Sequence, residues 1–247
     1  SKIAKYILPI IFKDRKENLY YIEPFVGGCN IIDKVPNPRI ANDNNNYLIA
    51  MWKGLQENKS LIRDITKDFY SDVRNSYNTN NNKYDDFTIG WVGFAGSFNG
   101  RFFDGGYSGR TKDRDYIKEQ ISNIEKQIPL ISGIEFYSGD YRLINYPPNS
   151  IIYCDPPYQE TKQYSTSKNF KYDEFWEWCR EMSRKGHKVF ISEYKAPNDF
   201  ECIWCKEITN SMNTTKTYKP TEKLFVLRSS FEFDDAAKEI KKFKEIL

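Results

Sequence analysis

The segment of this 247-residue sequence best equipped for chemistry is Asp155-Pro156-Pro157-Tyr158. It follows an apolar run, Ser150-Ile151-Ile152-Tyr153-Cys154, that reads as a strand. Each proline fixes its own φ and lacks a backbone N–H, and Pro156 also holds Asp155 in an extended conformation. The result is a stiff loop that presents a carboxylate, a free carbonyl and an aromatic ring in set directions. Such a set suits a planar amino group acting as a nucleophile. The lone pair of an exocyclic amine is conjugated into its ring. Acceptors on both N–H bonds, here the Asp155 carboxylate and the Pro156 carbonyl, favour the pyramidal form that attacks a methyl sulfonium. The same groups stabilise the positive charge that develops. Tyr158 offers a stacking surface to a base rotated out of a duplex. This chemistry needs no metal, no general-base histidine and no covalent enzyme intermediate.

Three further segments are suited to holding a nucleoside. Glu23-Pro24-Phe25-Val26-Gly27-Gly28-Cys29-Asn30 closes a strand-like run, and glycines at such a turn let the backbone approach a ligand. Asp43, followed by Asn44, ends the next strand, where an acid accepts from ribose hydroxyls. Ser138-Gly139-Asp140-Tyr141 ends a third, and Asp140 can accept from an adenine amino group. A full G-x-G-x-x-G is missing, which favours a nucleoside cofactor without phosphates.

The elements that must position these residues are an alternation of strands and helices. Strand patterns fall at 19–26, 38–42, 134–138, 150–154, 187–193, 201–208 and 222–228, the last two fit for an antiparallel hairpin at a sheet edge. Helical patterns fall at 2–12, at 47–58 with Asn46 as its N-cap, from Asp113 to Pro129, at 172–185 and at 233–247. The fold class is therefore α/β with a mainly parallel sheet of about seven strands. Residues 59–130 have a different texture and read as an insertion. The boundaries are 1–58 and 131–247 for the main domain and 59–130 for the insert. Within it, Arg101, Arg110, Lys112 and Arg114 cluster with Phe98, Asn99, Phe102, Phe103 and Tyr107, and glycines including Gly93 and Gly96 would let the segment adapt to DNA. Some of these arginines would grip phosphates while others read guanine edges.

The order and wording of these motifs resemble the Dam-type, D12 class DNA adenine methyltransferases of the alpha group. The likeness rests on EPFVGG at 23–28, ANDNN at 41–45, GDY at 139–141, IIYCDPPY at 151–158 and EKLFVL at 222–227. It implies a Rossmann-like sheet dependent on S-adenosylmethionine, with a mostly helical insertion that recognises a site in double-stranded DNA. It implies that Phe25 and Gly27 border the methionine part of the cofactor, Asp43 the ribose, and Asp140 with Tyr141 the adenine. Glu23, Pro24, Gly28, Asn30 and Asn44 complete that edge. The target adenine would be flipped into a pocket formed by Asp155, Pro156 and Tyr158, and Phe98-Asn99-Gly100-Arg101 looks like the recognition stretch. Family members open with a Gly-x-Lys segment that joins the cofactor pocket; Lys2 reads as its remnant.

The bulk numbers exclude little. A net charge of +3 permits a polyanionic partner without announcing one. Five cysteines without framework spacing fit reduced thiols in the cytoplasm of a bacterial or phage-infected cell, and no run suits a membrane span. His187, the single histidine, and Cys154 read as structural. Neighbouring acceptors, cytosine N4 or adenine in RNA, pose the same chemical problem. A silent DNA-binding protein of this fold is the reading from another class. Target sequence, oligomeric state and biological role (restriction companion, phage function or epigenetic mark) stay open.

Overall fold

The computed structural model of the chain describes residues 3–13, 15–109, 113–159, 169–207 and 221–228. Lys2, Arg110, Lys112 and the helix expected at 233–247 lie outside the described residues.

One sheet carries seven strands: β1 (Tyr21–Glu23), β2 (Arg39–Asp43), β3 (Ile134–Ser138), β4 (Ile151–Cys154), β5 (Lys188–Ser192), β6 (Phe200–Glu207) and β7 (Thr221–Leu227). Their order is β3-β2-β1-β4-β5-β7-β6. The first five run parallel, and β7 runs antiparallel to both β5 and β6. The α/β class and the antiparallel hairpin at one margin agree with the sequence reading. β1 is shorter than expected, because Pro24 has no N–H with which to extend the ladder.

Both faces of the sheet are covered. Ile22, Ile40, Ile152, Cys154, Val189 and Ile191 form a core with Phe175, Trp178 and Met182 of helix α6 (Tyr172–Arg184). The alternate residues Tyr21, Ala41, Tyr153 and Phe190 join a larger core on the other face. Burial on both sides is why β1 and β4 read as continuous apolar runs.

The larger core is built from α1 (Ala4–Ile11), α2 (Asn46–Gln56), α3 (Lys67–Thr79), α4 (Asp86–Ala95) and α5 (Tyr116–Gln127). Asn45, not Asn46, caps α2: its side-chain oxygen accepts from Tyr47 N at 3.1 Å and Leu48 N at 3.2 Å, and Asn46 is the first helical residue. α5 starts behind Asp115, whose carboxylate accepts from Lys118 N at 3.0 Å. The chain does not stop at Pro129 but passes through a 3₁₀ turn, Ile128–Ile131, where a proline near the start leaves no donor unsatisfied.

α4 sits close against α2. A Cβ on Gly90 would lie 2.1 Å from the Tyr47 carbonyl oxygen, and one on Gly93 would lie 2.6 Å from the Phe102 ring. Gly93, and Gly96 against Tyr70, thus serve tight packing rather than the loop adaptability expected of them. Phe102 and Phe103 are buried, and the Tyr107 hydroxyl donates to the Ile65 carbonyl at 2.7 Å. These rings hold the segment together and are not free stacking platforms. No helix among the described residues is long and apolar enough to cross a membrane.

Candidate active site

Five parallel strands deliver their C-terminal ends to one edge of the sheet. They carry Glu23-Pro24, Asp43, Gly139-Asp140, Asp155 and Glu193 respectively. The open edge beyond the carboxyl ends of such strands is where α/β sheets bind ligands. β7 runs the other way, so it begins at this edge. Leu224 stands opposite Ser192, and Glu222, on the same face as Leu224, stands beyond it.

The cofactor half of the edge is knitted by Asn42, at the buried end of β2. Its amide nitrogen donates to the Pro24 carbonyl at 3.1 Å and to the Gly139 carbonyl at 3.0 Å, joining the loops after β1 and β3. Asn42 Oδ1 is buried with no partner among the described residues. Asp43 accepts from Gly27 N at 3.1 Å through one oxygen and from Asn45 N at 2.9 Å through the other. Burial raises its pKa and these two N–H groups pull it back down. Each oxygen keeps a further lone pair for a ribose hydroxyl. Asn44 is exposed beside it. Trp52 Nε1 donates to the Gly27 carbonyl at 3.0 Å, fixing the turn, in which Gly27 takes a φ of 48°.

Phe25 and Tyr141 are half-buried neighbours, 5.0 Å between ring centroids, and both pack on Phe170 and Phe175. They make an aromatic shelf of the size of a purine. The Asp140 carboxylate is held by Arg142, which keeps its pKa below the usual range, and Arg142 bridges on to Glu174. Glu23 is buried beneath, its carboxylate accepting from Tyr21 Oη at 2.9 Å; burial pushes its pKa well up. Glu23, Asp43, Asp140, Asp155, Glu193 and Glu222 therefore all lie along this edge. An acidic edge with a nucleoside shelf fits a cationic sulfonium cofactor and would repel a polyphosphate.

Asp155-Pro156-Pro157-Tyr158 continues directly from β4. Asp155 keeps solvent access, but protein crowds it from within. That desolvation, then the Glu222 charge, pushes its pKa up to about 7; Glu193 adds to the rise and a hydrogen bond with the Tyr158 side chain opposes it. The Tyr158 hydroxyl donates to Glu222 Oε2 at 3.0 Å, and its ring meets Tyr194 edge-on at 4.7 Å. Glu193 is buried and accepts from Gln159 N at 3.1 Å and Tyr194 N at 2.7 Å. It ties the end of the tetrapeptide loop to β5.

Glu193 and Glu222 escaped the sequence reading. Ser192-Glu193 ends a strand as Asp155 does, a signal that was present. Glu222 heads the EKLFVL motif, but its place at the edge depends on the reversed direction of β7.

The expected DNA-contact residues divide. Phe98 is 49% exposed and Asn99 is exposed with a φ of 55°. Asn99 and Gly100 share a groove of 610 Å³ with Gly28, Asn30 and Trp52, so the Phe98-Asn99-Gly100 stretch meets the far side of the Gly27-Gly28 turn. Arg101 is half-buried. Arg114 is engaged by both oxygens of Glu119, at 2.9 and 2.6 Å, and stacks on Tyr116. Cys154 is a buried strand residue, and buried His187 accepts from Ser150 N at 3.2 Å.

With this geometry in hand, comparisons with known proteins add the following. The model of the D12 class N6 adenine-specific DNA methyltransferase family matches residues 1–224. A type II methyltransferase of Methanocaldococcus jannaschii, M.MjaIII, is 26% identical, over 70% of this chain and 72% of that protein. The crystal structure of SMU.472 complexed with SAH covers 88% of this chain at 11% identity and a TM-score of 0.35, and this chain spans 50% of its length.

Proposed function

The chain belongs to the family of D12 class N6 adenine-specific DNA methyltransferases, and from that premise we propose that it methylates an adenine flipped out of duplex DNA into the cleft at Asp155-Pro156-Pro157-Tyr158. The observation that carries this reading is the shared edge: the tetrapeptide on β4 adjoins the nucleoside cradle on β1, β2 and β3. S-adenosylmethionine supplies a methyl carbon made electrophilic by its sulfonium. Asp43 takes the ribose hydroxyls, Phe25 and Gly27 border the methionine part, Tyr141 borders the adenine ring, and Gly28, with Glu23, Pro24, Asn30 and Asn44, shapes the remainder. Lys2 and Asp140 are assigned to the same pocket.

On the substrate side, Asp155 and the Pro156 carbonyl accept from the two N6 hydrogens, and the lone pair so released points at the methyl group. Pro157 stiffens the loop, and Tyr158 stacks on the flipped base. Residues 59–130 act as the target-recognition insertion. Phe98, Asn99 and Arg101 face the DNA from the Gly100 turn, with Arg110, Lys112 and Arg114 following.

The test is transfer of labelled methyl to unmethylated duplex DNA, with the product nucleoside identified by mass spectrometry. N6-methyladenine from duplex, exceeding the yield from single strands and RNA, is the expected result. N4-methylcytosine, or DNA binding without any transfer, would overturn the proposal.

A further inference from the structure

Methylation of N6 forms one N–C bond, breaks one S–C bond whose electron pair stays on sulfur, and leaves one proton to be removed from the nitrogen. Resting on the function proposed above, we propose that Glu222 acts through the Tyr158 hydroxyl to take up that proton, so that Asp155, Tyr158 and Glu222 form a relay from the substrate amine to solvent.

The geometry is that of a chain. Tyr158 Oη donates to Glu222 Oε2 at 3.0 Å, and Asp155 stands three residues before Tyr158 on the same Pro-stiffened loop, where the Tyr158 side chain lowers its pKa. With both carboxylates ionised, the phenol has one proton and serves one carboxylate at a time. One added proton satisfies all three groups: Asp155 donates to the Tyr158 oxygen, and Tyr158 donates to Glu222. The assembly thus has room for the single proton the reaction releases. The proton leaves N6 for an Asp155 oxygen. Asp155 then passes a proton to Tyr158 Oη as Tyr158 gives its own to Glu222 Oε2. Glu222 is only half-buried and discharges to water. No oxidant or further reactant enters.

The electrostatics agree. The charges acting on Asp155 are Glu222 and Glu193, and burial raises the pKa of Glu222 as well, with the Tyr158 bond opposing. Tyr153, whose hydroxyl is bonded to Ser192 at 2.8 Å, and Glu23 lie beneath the pair. Both acids are raised from their ordinary values, one on each side of a phenol, which favours holding a proton within the set.

E222Q keeps an oxygen that accepts from Tyr158 and so keeps the ring in place, but it cannot take a proton. Y158F keeps the stacking ring and removes the hydroxyl. The experiment measures single-turnover methyl transfer to duplex DNA by the full chain, with affinities for cofactor and DNA measured alongside. The relay requires each variant to lose at least about ten-fold in rate at near-unchanged affinities, and the double variant to lose no more than the worse single one. E222D, which retains a carboxylate, should recover part of the rate. E222Q at wild-type rate alongside a slow Glu222→Ala would make Glu222 a mere ring support, and multiplicative losses in the double variant would make the two groups independent; either result overturns the relay. If E222Q fails to fold, Y158F alone at wild-type rate does the same. A wild-type chain that forms no N6-methyladenine sinks the functional reading instead, so the two failures are told apart.

Discussion

On the function proposed above, the acidic strand edge and the 98–109 segment both meet nucleic acid components, and they are held in place by different means. At the edge, each carboxylate sits in a strand or within two residues of one whose hydrogen bonds lie inside the sheet, and the loops are cross-tied by Asn42, Asp43 and Glu193. The 98–109 segment is tethered by an isolated bridge, Ser97 to Tyr107, by Ser97 Oγ hydrogen-bonded to Phe103 N and Tyr70 Oη, and by an aromatic set of buried Tyr70, Phe102 and Phe103 with half-buried Tyr77. Chemistry needs fixed atoms to fractions of an ångström. Site reading needs a scaffold that leaves its outermost side chains, here Phe98 and Asn99, outside the packing. The edge is thus tied by carboxylate and amide groups at strand ends, and the insert by packed rings pinned through a few hydroxyl bonds.

The contrast can be broken by substitution. Asp155→Ala removes an acceptor at the reacting nitrogen, and transfer should fall by about 10³-fold. Duplex affinity measured by fluorescence anisotropy should stay within a few-fold, and comparable turnover would remove Asp155 from the mechanism. Asp43→Asn alters one acceptor of the cradle. Cofactor affinity by calorimetry should weaken by about ten- to a hundred-fold, the worth of a hydrogen bond to a charged group, with DNA affinity unmoved. The pH profile follows from Asp155: its carboxylate accepts only when ionised, and its raised pKa places that ionisation at about 7. The value of kcat/KM should therefore fall about ten-fold per pH unit below neutrality, and a limb near pH 4 would contradict the crowding described for this carboxylate.

At the junction between the two regions, Gly90→Ala forces α4 away from the Tyr47 carbonyl. It should cost about 1–3 kcal/mol in denaturant unfolding, in a single transition because α2 and α4 share one core. The smallest effects belong to the insert's cations. Arg101→Ala should relax site preference, by about 1–3 kcal/mol of discrimination if it reads a base. Arg114→Ala breaks an exposed pair with Glu119 and should leave the denaturant midpoint nearly unchanged.

Much of the edge is legible in the sequence because its rules are local. A Pro-Pro pair after an apolar strand, a Gly-Gly turn and an acid at a strand end each announce a fixed loop. The role of Glu222 was not legible, because strand direction is set by sheet pairing far along the chain. The burial of Phe102 and Phe103 beside basic residues is not readable from their spacing, because it depends on the packing of α4 on α3. The one-residue error at the α2 cap came from two adjacent asparagines, of which only Asn45 has the extended backbone that a cap needs.

The place of β7 has a consequence for assembly. Among the described residues β6 pairs only with β7, and β7 enters between β5 and β6 although it is the last described strand in the chain. Until residues 221–227 dock, β5 is the rim of a five-stranded half-sheet, with the backbone groups of Ile191 and Ser192 open to pairing with another molecule. A chain cut before residue 221 would thus lose two strands rather than one, and its exposed rim would favour aggregation over a smaller working enzyme.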